Sequence, residues 1–370
     1  MGFLDMFRQK DADPEIQKLL DSADASKSDP NPHVALALAY VDQFRTPPHW
    51  SDSYAKKAIK SFHKAIAIAG KFTPVQEEGV RNRFIDTIHE VARAYYDAYD
   101  MTQPDLQQLE PPIWLLEQIQ PVAQSDPTRS TEILGSLKAC WLGVLALREG
   151  KLEDESSSEK DLQVYIAAVQ HTMSYFDTSD PMRSAIDEDA ASMQMMMGVR
   201  FLERAQQSAV LGRKDGMLLN VEDSEHKKYA RQAIQLLRNG RTRLEPYASS
   251  EENGERIVAV DEALAIAYSV LYNLTLAHSN YAQSIDILKE GVQVVQNNAD
   301  LWNSLGSAYE HLADETIDDY NRTRLRGATG IVDGTVAQIE HKRAQSKVND
   351  LQKKTLECYQ KAHQLAPDQY

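Results

Sequence analysis

The side chains able to do chemistry are dispersed. Ten histidines are spread over 370 residues, and the closest pair, His49 and His63, stand 14 apart. No H-E-x-x-H and no Cys/His spacing of a zinc site occurs. The two cysteines, Cys140 and Cys358, make no C-x-x-C, which excludes a disulfide framework and favours a reducing compartment. There is no phosphate-binding P-loop and no G-x-S-x-G nucleophile elbow. Gly327, Gly330 and Gly334 do not form a G-x-G-x-x-G, and no strand pattern precedes them. The D-E-D at 187–189 lacks the alternating oxygen ligands of a calcium loop. Carboxylate pairs abound, but without apolar enclosure they are surface charges. The expectation is a non-enzyme with no catalytic residue, no metal site and no cofactor.

Binding chemistry is better represented. Lys227, Arg231, Arg238 and Arg241 fall within about 80° of each other on a helical wheel, opposite Tyr229, Ala233, Leu236 and Leu237. This stripe reads first as a solvated face and second as a site for an acidic partner. The following segment, 244–319, carries 14 acids against 2 bases, enough to neutralise it from within. Arg322, Arg324 and Arg326 precede the chain's glycine cluster, G-A-T-G-I-V-D-G. They read as a solvated helix end favoured by the helix dipole, or as a patch for an acidic protein or a phosphate. The net charge of −15 argues against a general nucleic-acid binder.

The elements that position these residues are helices. With 16 glycines, 14 prolines and 42% hydrophobic residues, long helices fit better than strands, and apolar residues recur at three- to four-residue spacing. The pattern predicts a short helix at 14–23, then a linker to 32. Pro47 and Pro48 stop a first helix, and Ser51 or Asp52 can cap the next. Residues 75–99 form one periodic helix. Pro104, Pro111 and Pro112 end it and start another near 112–124. Ser125-Asp126-Pro127 caps a helix to about Glu149, and a solvated stretch, K-L-E-D-E-S-S-S-E-K-D, reads either as a loop or as the exposed start of a helix ending near Phe176. Ser179-Asp180-Pro181 opens a helix to about 211 whose Met193, Met195, Met196 and Met197 read as core before binding surface. Residues 212–222 are a loop, 223–244 a helix, and a turn at Pro246 leads into a polar segment to Glu255.

The most informative spacing is Trp302, Leu305, Gly306 and Tyr309, which make W-x2-L-G-x2-Y on one helical face. Trp302 and Leu305 supply bulk, and Gly306 lets a second helix approach. Thr355, Tyr359, Ala362 and Pro367 occupy the A-x3-F-x2-A-x4-P slots. Tyr268 lies 34 residues before Trp302, the repeat length, and Leu271, Thr275, Tyr281, Ser284, Leu288 and Gly291 keep the register, with Tyr272 in a slot for Gly or Ala. Over 33–69, His33, Leu36, Ala37, Tyr40, Ala58, Phe62 and Ala65 give a weaker version. The chain resembles the tetratricopeptide-repeat (TPR) family, strongly over 256–312 and 353–368. The two aromatics of a standard repeat stand about 13 residues apart, but Tyr309 and Tyr359 stand 50 apart. The surplus predicts a long antiparallel hairpin inserted at about 313–352, with its turn near 327–334. Asp314, Glu315, Asp318 and Asp319 on the outgoing helix are expected near Lys342, Arg343, Lys347, Lys353 and Lys354 on the returning one.

The expected fold is all-α, an α-solenoid of antiparallel helix pairs, in three parts: an N-terminal segment (1–32), a degenerate repeat region (33–255) and C-terminal repeats with the hairpin (256–370). The resemblance implies protein or peptide binding in a groove lined by first-helix positions, here Ser269, Asn273, Asn303, Ser307 and His311. Asn273 and Asn303 are the favoured contacts, because an amide can bond an extended peptide's backbone. The lysine/asparagine set that clamps a C-terminal carboxylate in chaperone-binding members is missing at the matching positions. The expected role is therefore a cytoplasmic scaffold or assembly factor. The alternative is a regulator binding an acidic ligand or nucleic acid through the basic stripes. No run of 18 apolar residues appears. The first eight residues are too short for a secretion signal, and Met6 breaks the myristoylation pattern. Phe3, Leu4, Met6 and Phe7 form an apolar face expected to dock on the first helices, or else on a membrane or partner. The last helix reaches Tyr370 without a following cap, so its exposed end is expected to be covered by the hairpin, a second copy or a partner.

Overall fold

The computed structural model describes residues 13–26, 28–99, 105–154, 156–211, 223–276, 281–327 and 334–369. The described residues form α-helices joined by short connections, and within each unit consecutive helices pack on one another. The chain divides into two units, Met1–Arg183 and Ser184–Tyr370. The sequence-based boundaries at 32/33 and 255/256 fall inside the helices Asn31–Asp42 and Glu251–Leu276.

Unit 1 contains α1 (Pro14–Ala25), α2 (Asn31–Asp42), α3 (Asp52–Ala69), α4 (Pro74–Asp97), α5 (Leu106–Ala123), α6 (Pro127–Glu153) and α7 (Glu159–Met173). Their starts are written in the capping residues. Asp13 accepts from the Glu15 amide, Thr73 from Gln76, and Asp126 from Thr128 and Arg129, each ahead of a proline in the first turn. Ser158 and Asp161 close a reciprocal capping box on α7, so the solvated stretch 151–161 begins in the last turn of α6 and ends in the first turn of α7. Ser51 stands at the start of α3 without a side-chain cap bond, and Asp52 instead pairs with Lys56 at 2.5 Å.

One start was misplaced. α5 begins at Leu106, capped by Asp105, and runs through Pro111, Pro112 and Pro121. A proline inside a helix deletes a ladder bond and costs about 3 kcal/mol or more. Here Leu109, Leu115, Leu116 and Ile119 are fully buried around the prolines, and that packing outweighs the backbone preference.

The overlong connection between α2 and α3 is fixed by aromatics. Trp50 meets Phe44, Tyr95 and Trp114 edge-on at 5.6, 5.7 and 5.9 Å. The Tyr95 hydroxyl donates to the Phe44 carbonyl at 2.6 Å, out of solvent, and burial pushes its pKa up to about 12. Tyr95→Phe leaves that carbonyl unpaired and is expected to cost about 1–2 kcal/mol. Urea unfolding of the two proteins checks this, and an unchanged midpoint would remove the bond from the account.

Unit 2 contains α8, which opens at the division between the units (Pro181–Leu211), α9 (Asp223–Leu244), a 3-10 turn (Glu245–Tyr247), α10 (Glu251–Leu276), α11 (Tyr281–Val294), α12 (Ala299–Gly327) and α13 (Gly334–Leu365). The segment expected to be polar up to Glu255 is already helical from Glu251. The loop expected at 212–222 lies outside the described residues, as do the apolar face of residues 3–7 and Tyr370. Met193 and Met197 are buried and Met195 and Met196 half-buried, so the methionine stripe belongs to the core. Phe201 stacks on Tyr229 at 5.8 Å to join α8 to α9.

The long hairpin is α12 against α13. Gly306 lies against Tyr359, Tyr309 under the Lys354 ammonium at 5.9 Å, and Tyr320 beside His341 at 5.2 Å. The rising number on one helix against the falling number on the other defines the antiparallel register. Buried Ala313, Val348 and Leu351 continue the contact past the repeat motif. The expected charge pairing across the hairpin is not what joins it. Lys354 pairs with Asp350 and Lys353 with Glu357, each along α13. Among the described residues no ion pair links Asp314, Glu315, Asp318 or Asp319 to the bases of α13. Most of these groups are exposed, and solvated charges gain too little from one ordered geometry.

Candidate functional site: the exposed faces of α10 and α12

α10 buries Val260, Leu264, Ala267, Tyr268 and Leu271, and α12 buries Leu301, Leu305, Ala308 and Tyr309. The two helices also touch each other, so the faces opposite their cores lie on neighbouring helices. Ser269 and Asn273 fall on that face of α10, the first half-buried and the second exposed. Asn303, Ser307 and His311 fall on the matching face of α12, with Asn303 and Ser307 half-buried and His311 exposed. Ser307 shares a hydrogen bond with the Tyr359 hydroxyl, so part of its capacity is already used between α12 and α13.

The sequence reading missed most of what fills these faces. At about 100° per residue, Glu251, Glu255, Val258, Glu262 and Ile266 share the α10 stripe with Ser269 and Asn273. Asp300, Asp314 and Asp318 share the α12 stripe. Val258 is 59% exposed and Ile266 47%, and all six acids are exposed. Neither stripe holds a lysine or arginine before Arg322, which stands exposed four residues past Asp318. The signal was available in the three- and four-residue spacing, but it becomes visible only once the buried face of each helix is known.

The basic stripe of α9 is partly spent inside the unit. Arg238 donates to Glu290 at 2.6 Å. Arg241 donates to Asp261 at 2.6 Å and also reaches Glu245, and these partners hold its guanidinium above its usual pKa. Both arginines line a polar cleft of about 480 Å³ with Thr242, Gln293, Gln296 and Asn297. Lys227 is half-buried and Arg231 exposed. Arg322 is exposed on α12, whereas Arg324 and Arg326 lie in α12 with side chains outside the described residues.

The D-E-D at 187–189 has a structural use. Asp187 accepts from Arg243 and Tyr247, and Glu188 accepts from Asn253 Nδ2 at 3.0 Å. The cysteines are buried, which pushes the Cys140 thiol up to about 12 and Cys358 to about 11, far from the range of a nucleophilic thiolate. Among the described residues no three His, Cys, Asp or Glu side chains gather as a metal set. α6 and α10 are long and apolar enough to cross a membrane by length and composition. Both pack one face on their neighbours through residues such as Leu137, Cys140, Leu264 and Tyr268.

No family model matches the chain, and no curated protein does. Among solved structures, two of a monomeric IFIT1 mutant, with m7Gppp-AAAA or Gppp-AAAA, align at 12% identity and a TM-score of 0.21, covering 96% of this chain and 66% of that one. The TPR domain of P58(IPK) aligns at 14% identity and a TM-score of 0.20, covering 91% of this chain and 94% of that one. The chain thus spans just under two thirds of the IFIT1 length.

Proposed function

We propose that the chain is a non-enzymatic scaffold of the tetratricopeptide type, working in an aqueous reducing compartment, and that α10 and α12 hold an extended partner segment. The observation that carries this reading is the pair of neighbouring exposed stripes. They offer acids, two aliphatic side chains and two asparagines, with no lysine or arginine before Arg322 at the far end of α12. Charge complementarity selects a partner rich in lysine or arginine with an aliphatic residue for Val258 or Ile266. Asn273 and Asn303 would bond its backbone. The opposite reading, an acidic ligand on α9, is weakened because Arg238 and Arg241 already have carboxylate partners.

The test is fluorescence anisotropy with a labelled twelve-residue peptide alternating lysine with valine or isoleucine, against the same peptide with glutamate for lysine. The lysine peptide is expected to bind, and to lose about tenfold in affinity on Glu262→Lys with Asp314→Lys. Ile266→Ser is expected to weaken binding without changing its salt dependence. Equal binding of both peptides, or indifference to the charge reversal, would sink the proposal.

A further inference from the structure

A cleft in unit 1, remote in sequence from α10 and α12, holds a second kind of chemistry. It measures about 470 Å³, within the size range of small-molecule sites. Gly79, Val80 and Arg83 line it from one stripe of α4, at three- and four-residue spacing. Phe72, in the turn between α3 and α4, joins them. Asp29, in the connection between α1 and α2, and Val34 of α2 add to the lining.

Part of this lining is apolar and open to solvent. Phe72 is 52% exposed, Val80 is half-buried and Val34 is buried, so apolar surface runs from the core out to an uncovered aromatic ring. Gly79 is the unexpected residue. It sits inside α4, where glycine is a poor choice on backbone entropy. A Cβ there would meet nothing within 4 Å, so no neighbour in the chain requires its absence. The space that it leaves open belongs to the cleft.

Two opposite charges line the same cleft without pairing. Asp29 and Arg83 are both exposed, and neither makes an ion pair among the described residues. One oxygen of the Asp29 carboxylate accepts from the Asn31 amide at 2.9 Å, which orients the group and leaves its other oxygen for a further donor. The Arg83 guanidinium offers a planar fork of donors that matches a carboxylate. A ligand that carries both signs on neighbouring atoms answers both groups, and an apolar side chain on it covers Phe72 and Val80.

We propose that this cleft binds a free apolar α-amino acid in its zwitterionic form, an aromatic one above all. Its carboxylate accepts from Arg83, its ammonium donates to Asp29, and its side chain lies on Phe72 and Val80 in the space left open by Gly79. An acid without the ammonium leaves Asp29 unmatched beside a second carboxylate. An amine without the carboxylate leaves Arg83 unmatched beside a second cation. A polar amino acid leaves the apolar lining in water.

NMR titration of the full chain with L-phenylalanine, 3-phenylpropionate and phenethylamine tests this. L-phenylalanine is expected to saturate, and to bind at least about tenfold more tightly than either analogue. Arg83→Gln is expected to weaken L-phenylalanine about tenfold and to leave phenethylamine no weaker. Asp29→Asn is expected to weaken L-phenylalanine similarly and to leave 3-phenylpropionate no weaker. Arg83 has no ion-pair partner to lose among the described residues, and asparagine at 29 keeps an acceptor for the Asn31 amide, so neither change threatens the fold. Gly79→Leu fills the cleft and is expected to abolish binding of all three compounds with Tm held or raised. Absence of saturable L-phenylalanine binding, an analogue binding as tightly, a charge variant that weakens all three compounds alike, or full binding by a folded Gly79→Leu each overturns the proposal.

Discussion

Gly306→Val is expected to destabilise the α12–α13 pair by about 2–3 kcal/mol, while Gly135→Ala in α6 raises stability by about 0.5–1 kcal/mol. Both glycines sit inside helices, where glycine is a poor choice on backbone entropy alone. They differ in what surrounds them. A Cβ on Gly135 would meet nothing within 4 Å, but one on Gly306 would lie 2.7 and 2.8 Å from Tyr359 ring atoms and 3.3 Å from the Cys358 Cβ. The ring cannot easily step aside, because its hydroxyl donates to Glu310 at 2.9 Å. Relief therefore requires the helices to separate, which opens the contacts of buried Leu305, Tyr309 and Cys358. Gly291 repeats the arrangement one helix earlier, with the Tyr268 ring 3.0 Å from a notional Cβ. Urea unfolding of both variants gives the signs, and amide exchange localises the loss to α12 and α13. A stable Gly306→Val would mean that the glycine is not required for helix approach.

That result bears on how much the sequence could say. The spacing of Trp302, Leu305, Gly306 and Tyr309, with Tyr359 displaced along the chain, was enough to predict two long helices in contact at Gly306. It worked because the motif encodes a steric requirement, and steric requirements are local and few. Helix starts were legible wherever a capping side chain preceded a proline, as at Asp126. They failed at α5, where burial of Leu109 and Leu115 overrode the prolines, because burial is a tertiary fact. Side-chain environment was the least legible. His33 falls on the weak repeat spacing of 33–69, but nothing in its neighbours along the chain reveals how deeply its ring is buried. The charges of the hairpin were misjudged for a related reason. Opposite signs on facing helices look complementary in sequence, yet exposure to water removes most of the incentive to pair.

The same distinction between exposed and enclosed charge gives the second large effect. Arg243→Ala is expected to cost about 2 kcal/mol, whereas Arg45→Ala costs no more than about 0.5 kcal/mol. Arg243 of α9 bonds a carboxylate on α8, and Arg45, in the connection after α2, bonds one on α4. Arg45 and Glu90, 2.6 Å apart, have side chains 50% and 67% exposed, so water solvates each partner when the other is lost. Arg243 and Asp187 are 22% and 17% exposed, and losing the guanidinium strands a partly buried carboxylate whose remaining neighbour is the Tyr247 hydroxyl at 3.4 Å. Asp187 is also one half of a clasp. Beside it, Glu188 accepts from Asn253 Nδ2, and Asn253 is 3% exposed at the start of α10. The two acids thus tie the beginning of α8 to the end of α9, the 3-10 turn and the beginning of α10. A double-mutant cycle of Arg243→Ala with Asp187→Asn is expected to show about 1–2 kcal/mol of coupling, little reduced by salt because the pair is shielded. Additivity, or a coupling that vanishes in 0.5 M salt (an ionic strength of roughly four-angstrom screening), would make the clasp a surface contact, and α10 would then owe its placement to apolar packing alone.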